Sequence, residues 1–258
     1  MAQTYIGAPI KRREDIRFIT GRGTYVDDIK LPHMVHAAIL RSPHAHAHIQ
    51  RIDVSKAETM PGVVSVFTLK DIGELDATVP IRMYKIPGLE KYLQPALARD
   101  TVRYVGEPVA VAIADTRYLA EDALDAIEVE YDILPEVTEV ADALLDKILV
   151  HEKNGTNLAA VHHVSIGDVD KAFKEAEYTR TEEFQVHRFT GNPMETRGII
   201  AHYDLGKGEL NVYGATKLPH LNRQTIANFL KLPEHKCHFE ENDVVVPIAV
   251  LEELGPGP

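Results

Sequence analysis

The run Val109-Ala110-Val111-Ala112-Ile113 constrains the fold more than any other stretch of the chain. Successive apolar residues leave no polar face for water, so the segment reads as a strand buried on both faces. Such a strand needs neighbours along its edges and a cover over its faces. The cover follows at once. Leu119, Ala120, Ala123, Leu124 and Ile127 recur at helical steps and make one apolar stripe, with Glu121, Asp122 and Asp125 turned to water. Neighbours are available on either side. Residues 35–40 read as a strand stopped at Arg41-Ser42-Pro43, and residues 63–68 read as another. Between them, Asp53 is an N-cap candidate for a short helix that Pro61-Gly62 ends. The apolar run is expected inside a longer strand, 102–114, with Gly106-Glu107-Pro108 within it, and 127–131 leads into a further strand. Strands interleaved with short helices point to the α/β (α+β) class.

Residues 71–100 carry Pro80, Pro87, Gly88 and Pro95 with little periodicity and read as a long surface loop or insertion. Weak periodicity over 142–156, closed by the turn Lys153-Asn154-Gly155-Thr156, places a domain boundary there. The mixed pattern then resumes with a strand at 160–166. Asp168 follows as an N-cap candidate for a helix carrying Val169, Ala172, Phe173 and Ala176 on one face. Strands at 197–203 and 209–213 turn through Asp204-Leu205-Gly206-Lys207-Gly208, and a helix opens at Pro219 and runs to Leu230.

Composition removes several classes of function. The 258 residues are 45% hydrophobic and 26% charged, which is globular rather than disordered usage. Lys plus Arg is 28 against Asp plus Glu 39, a net charge of −11, so the basic surface that nucleic acid requires is missing. Cys237 is the sole cysteine, and the chain alone builds no disulfide, thiolate zinc site or iron–sulfur cluster. No stretch approaches the roughly 18 apolar residues of a membrane span, and no apolar leader follows Lys11-Arg12-Arg13, so a cytoplasmic protein is expected. No Gly-x-Gly-x-x-Gly opens a helix, which argues against nucleotide binding.

Three groups of residues are candidates for chemistry. His44, His46 and His48 alternate along a predicted strand. They read either as metal ligands on one face or as an exposed face contacting a loop or partner. Lys217 stands just before Pro219, where its ammonium and the free amides of a helix N-terminus converge on a point that favours anionic or oxo ligands. The plainer reading is a solvated surface lysine. Glu195 and Arg197 alternate along a strand and pair with His187 or Arg188, or brace the turn at Asn192-Pro193. Cys237, beside Pro233 and His235, reads as a partly exposed structural thiol.

Four collinear stretches resemble the large, molybdopterin-binding subunit of the molybdenum hydroxylases, the family of xanthine dehydrogenase, aldehyde oxidase and aerobic carbon monoxide dehydrogenase. They are Arg13-Glu14-Asp15 with Thr20-Gly21-Arg22-Gly23-Thr24-Tyr25-Val26-Asp27-Asp28; Arg41-Ser42-Pro43-His44-Ala45-His46-Ala47; Tyr104-Val105-Gly106-Glu107-Pro108-Val109-Ala110-Val111; and Gly191-Asn192-Pro193-Met194-Glu195-Thr196-Arg197 with Gly214-Ala215-Thr216-Lys217-Leu218-Pro219-His220. The resemblance implies an α/β hammerhead domain with its N-terminal lead-in over 1–140. It implies the incomplete start of a first molybdopterin-binding domain over 150–244. It also implies a strand after the helix near 219–230, then a glycine-rich loop that helps hold the pyranopterin, whose threshold is Glu240-Glu241-Asn242-Asp243-Val244.

The implied activity is oxidation of a small molecule (heterocycle, aldehyde or carbon monoxide) with water-derived oxygen. Molybdenum–molybdopterin would be the cofactor, with FAD and iron–sulfur clusters on separate flavin and iron–sulfur subunits. Gly214, Thr216 and Lys217 fall on the cofactor-binding stretch. Many relatives carry glutamine where Lys217 stands, a departure that bears on substrate type. The general-base glutamate of relatives lies far toward their C-terminus and corresponds to no residue here, so Glu195 does not take that role. The histidines are not the family's metal ligands. Residues 245–258 do not follow the family and are expected to be a non-family tail left by a frameshift or truncation, with the chain inactive alone. Two alternatives stand beside this reading: a non-catalytic module docking onto flavin and iron–sulfur subunits, and a metal carrier built on the three histidines.

Overall fold

The computed structural model describes residues 6–72, 78–80, 86–186, 193–214, 216 and 218–243. In chain order the elements are α1 (Asp15–Ile19), β1 (His36–Arg41), β2 (Ala47–Asp53), α2 (Ser55–Glu58), β3 (Val63–Thr68), α3 (Leu69–Ile72), β4 (Thr101–Val102) and β5 (Pro108–Ala114). Then come α4 (Arg117–Asp125), β6 (Glu128–Ile133), α5 (Val140–Ala143), α6 (Val169–Glu175), β7 (Ile199–Asp204), β8 (Glu209–Gly214), α7 (Pro219–Phe229) and β9 (Cys237–Glu240). His33–Glu183 cluster as one unit, and Met1–Pro32 with Phe184–Pro258 as the other.

In the first unit β5 is the middle strand of the antiparallel sheet β1-β5-β3, and β2 is the middle of the antiparallel sheet β4-β2-β6. The alternation of strand side chains explains the apolar run. Ala110, Ala112 and Ala114 share one face and are fully buried, and their small size lets α4 lie close against β1 and β5. Ala110 and Ala112 join Ala57, Val66, Ala123 and Ile127 in one core cluster. Val109 points the other way, into a second cluster with Ala47, Ala98 and Val102. Val111 and Ile113, on that same face, are only half-buried, so the second face is covered at one end. Thr116 caps α4 by accepting the Leu119 amide at 3.2 Å.

The structure corrects the expected strand 102–114. The chain leaves one sheet at Val102, turns at Gly106 (φ 93°) and joins the other at Pro108. Inside that turn the Glu107 side chain is buried, with Oε2 accepting the Arg103 amide at 2.5 Å. Burial, the largest influence, raises its carboxyl above the ordinary range, while the Arg103 contacts oppose it. The 71–100 region is likewise more than surface loop, because Leu97 and Ala98 are buried and the Ala98 amide donates to Pro108 O at 2.7 Å.

The expected strand at 160–166 does not form. Residues 160–166 have no regular secondary structure and 161–166 are solvent-exposed, and no strand among the described residues pairs with them to make a ladder. The helix after them forms as predicted, with Asp168 Oδ1 accepting the Lys171 amide at 2.9 Å, but α6 buries none of its residues.

In the second unit β7 and β8 form the predicted hairpin, closed by Asp204 Oδ1 accepting the amides of Gly206 and Lys207. α7 begins at Pro219 as expected and returns the chain to β9, which pairs with β8 in parallel. Cys237 is buried in a core with Leu210, Val212 and Ala227, and is not a partly exposed thiol.

Gly62 shows how tightly α4 is seated. Its φ is 82°, and a Cβ there would lie 2.6 Å from Leu119 Cδ1. Gly62→Ala is expected to lower stability by about 1–2 kcal/mol, read as a shifted urea midpoint with unchanged slope. Glu107→Gln keeps an acceptor for the Arg103 amide and removes the buried charge. Because the folded carboxyl titrates above its unfolded value, the wild type carries its full stability at pH below the unfolded pKa and loses part as pH rises through the folded one. The stability of Glu107→Gln relative to wild type is therefore expected to climb across that window and then level off, measured by urea unfolding as a function of pH.

Candidate functional site

Parallel pairing of β8 with β9 aligns their carboxyl ends, with Tyr213 opposite Glu240. Ligands of α/β units gather at such ends. The loop leaving β8 carries Thr216, and the segment leaving β9 carries Asn242 and Asp243. Thr216 Oγ1 and Asn242 Oδ1 are both shut off from solvent with no hydrogen-bond partner among the described residues. A buried hydroxyl or amide oxygen left unsatisfied costs about 1–3 kcal/mol, so two at one end of a sheet mark a place built for a further polar group. The N-terminus of α7 opens on the same stretch with no side chain capping it, which leaves its amides and positive dipole end available.

Gly214 ends β8 opposite Ile199, and a Cβ on it would lie 3.1 Å from Gly198 O, so a glycine lets the two chains pass there. Of the sequence-predicted residues, Gly214 and Thr216 thus stand together at this edge, and Lys217 lies outside the described residues. A cavity of about 360 Å³ opens between α7 and β9, lined among others by Pro219, His220, Arg223, Cys237, Phe239 and Glu241. Arg223 Nε is buried without a hydrogen-bond partner among the described residues, and its Nη2 reaches Glu234 Oε2 at 3.5 Å. Burial pushes the Cys237 thiol up, against the opposing pull of Arg223, in keeping with its place in the core.

The other candidates separate. His44 packs edge-on to Tyr131 with ring centroids 4.9 Å apart; buried His46 has Nδ1 2.8 Å from Pro135 O; His48 has Nδ1 3.0 Å from Thr101 Oγ1. The strand starts only at Ala47, so the three do not share an exposed face. No group of three potential metal ligands occurs among the described residues. Glu195 is half-buried, Arg197 is exposed just before β7, and His187, Arg188 and Asn192 lie outside the described residues. Sequence reasoning placed Asp243 at the threshold of the loop but missed its partners, Arg17 and Thr24, more than two hundred positions away.

Two family models match the chain: the aldehyde oxidase and xanthine dehydrogenase a/b hammerhead domain over residues 20–135, and the molybdopterin cofactor-binding domain over 150–244. The carbon monoxide dehydrogenase large chain of Afipia carboxidovorans is 37% identical, aligned over 93% of this chain and 30% of its own length. The nicotine 6-hydroxylase large subunit of Paenarthrobacter nicotinovorans is 36% identical over 94% of this chain and 30% of its own length. Among solved structures, quinoline 2-oxidoreductase from Pseudomonas putida 86 superposes with a TM-score of 0.81 at 37% identity, covering 92% of this chain and 30% of that one. The chain therefore spans about 30% of the length of these relatives.

Proposed function

The chain belongs to the aldehyde oxidase and xanthine dehydrogenase family of molybdenum hydroxylases, and on that premise we propose that it forms one wall of the cofactor site of such an enzyme's large subunit. In this reading residues 1–140 supply the lead-in and hammerhead domain, and 150–244 supply part of the first molybdopterin-binding domain. The enzyme oxidises a small molecule of the heterocycle, aldehyde or carbon monoxide class with water-derived oxygen, and electrons leave through flavin and iron–sulfur subunits. The cytoplasm is the proposed compartment; no helix among the described residues is long and apolar enough to cross a membrane.

The observation that carries the reading is the pair of orphaned polar atoms at the carboxyl ends of β8 and β9. They fit a polar, anionic cofactor. The Thr216 hydroxyl has a proton to donate, Asn242 Oδ1 accepts one, and the uncapped end of α7 favours negative charge. Gly214 keeps the edge narrow, and the Lys217 ammonium follows in sequence within one residue of Thr216. When bound, molybdenum–molybdopterin supplies the two-electron redox chemistry. No side chain of this chain is assigned the transfer of a substrate proton. Exposed Val161, Val164, Ile166, Phe173 and Phe184 support a place inside a larger assembly, since apolar surface of this kind calls for cover.

Elemental analysis tests the reading. The assembly purified from the native host is expected to hold stoichiometric molybdenum, and Thr216→Val to lower that content severalfold. The 258-residue chain purified alone is expected to hold none and to show no turnover with an artificial electron acceptor, because it spans about 30% of the length of its relatives. A native assembly without molybdenum, or molybdenum and hydroxylase turnover in the isolated chain, overturns it.

A further inference from the structure

The segment carrying Arg17 and Thr24 belongs to the second unit, and one carboxylate ties both residues to the end of β9. Asp243 follows β9 by three positions, and its side chain is only 10% exposed. It forms an ion pair with the Arg17 guanidinium, and its Oδ2 accepts the Thr24 amide at 2.8 Å. The main chains lock as well, with the Asp243 amide donating to Thr24 O at 3.1 Å. Each partner is prepared locally. Arg17 sits on α1, where its guanidinium lies 5.2 Å over the Phe18 ring, and the Arg22 amide donates to Arg17 O at 2.8 Å to fold the segment back on itself. Two residues beyond Thr24, buried Val26 packs where a Cβ on Gly198 would come within 3.1 Å of its Cγ1, so the approach to β7 is shaped to receive it.

We propose that residues 15–28 are a clasp and that Asp243 is a positioning residue: the N-terminal segment fixes the point at which the chain leaves β9. Asn242, with its buried unpartnered Oδ1, immediately precedes Asp243, so the clasp also sets where that oxygen stands. The functional meaning rests on the cofactor reading; the clasp itself does not. A charge-assisted contact made by a nearly buried carboxylate is worth far more than an exposed ion pair, and here one carboxylate serves two donors at once. The segment is thereby an integral part of the cofactor-side unit rather than a free leader to the hammerhead.

Hydrogen exchange on the full-length chain tests this. Asp243→Asn and Arg17→Ala are expected to speed exchange in peptides covering 20–28 and 237–243 by about ten- to a hundredfold, the loss of one charged hydrogen bond. Peptides covering β5 and β6 should not change, and those covering β7 and β8 should change little. Arg17→Lys, which keeps the charge, should restore most of the protection. Arg17 is half-exposed, so its variants fold even if Asp243→Asn does not. Unchanged exchange at 237–243 in Arg17→Ala overturns the proposal. So does equal acceleration across 199–243, which would mark a merely structural contact. Failure of the cofactor reading would appear in the molybdenum content of the native assembly and leave these exchange rates untouched.

Discussion

Parallel pairing of β9 with β8 is the constraint on which the candidate site depends. A parallel pair cannot be closed by a tight turn, so the chain must cross over, and α7 is that crossover. Once the two strands run together, their carboxyl ends and the N-terminus of α7 necessarily share one edge. The same pairing buries Cys237 beside Leu210 and Val212, which is why the cysteine serves packing rather than reactivity. The orphaned oxygens of Thr216 and Asn242 stand where this geometry delivers them.

The hammerhead unit solves a different problem with antiparallel strands. Its central strand β5 faces α4 with alanines, which bring helix and sheet into close contact but fill little volume themselves. The larger residues that complete the core, Val66, Ile127 and Leu40, come from β3, from the residue after α4's C-cap and from β1. Glu107 is a buried charged residue at the entry to this strand. It holds the turn between β4 and β5 by accepting the Arg103 amide, while burial raises its carboxyl above the ordinary range.

Local periodicity made β1, β3, α4, the β7–β8 hairpin and α7 legible in the sequence, since each is specified by residues within one element and its caps. The split between β4 and β5 was not legible, because strand-forming residues stand on both sides of Gly106 and only tertiary pairing shows that Val102 and Val109 belong to different sheets. The run at 160–166 has a strand's composition but pairs with no strand among the described residues, and composition alone makes no ladder. At the site, Gly214 and Thr216 were reachable through the family motif. The contacts of Asp243 were not, because they are made to Arg17 and Thr24, and no local pattern ties residues so far apart in sequence together. The histidines misled for a related reason. Alternation predicts a shared face, whereas the strand begins at Ala47 and each ring has its own partner.

Anomalous diffraction at the molybdenum edge, from crystals of the native assembly, tests the central claim most directly. The account predicts a molybdenum peak at the carboxyl ends of β8 and β9, beside Thr216 and the start of α7. A peak against the hammerhead unit, or an assembly in which ordinary protein packing fills that edge and satisfies Thr216 and Asn242, would contradict it.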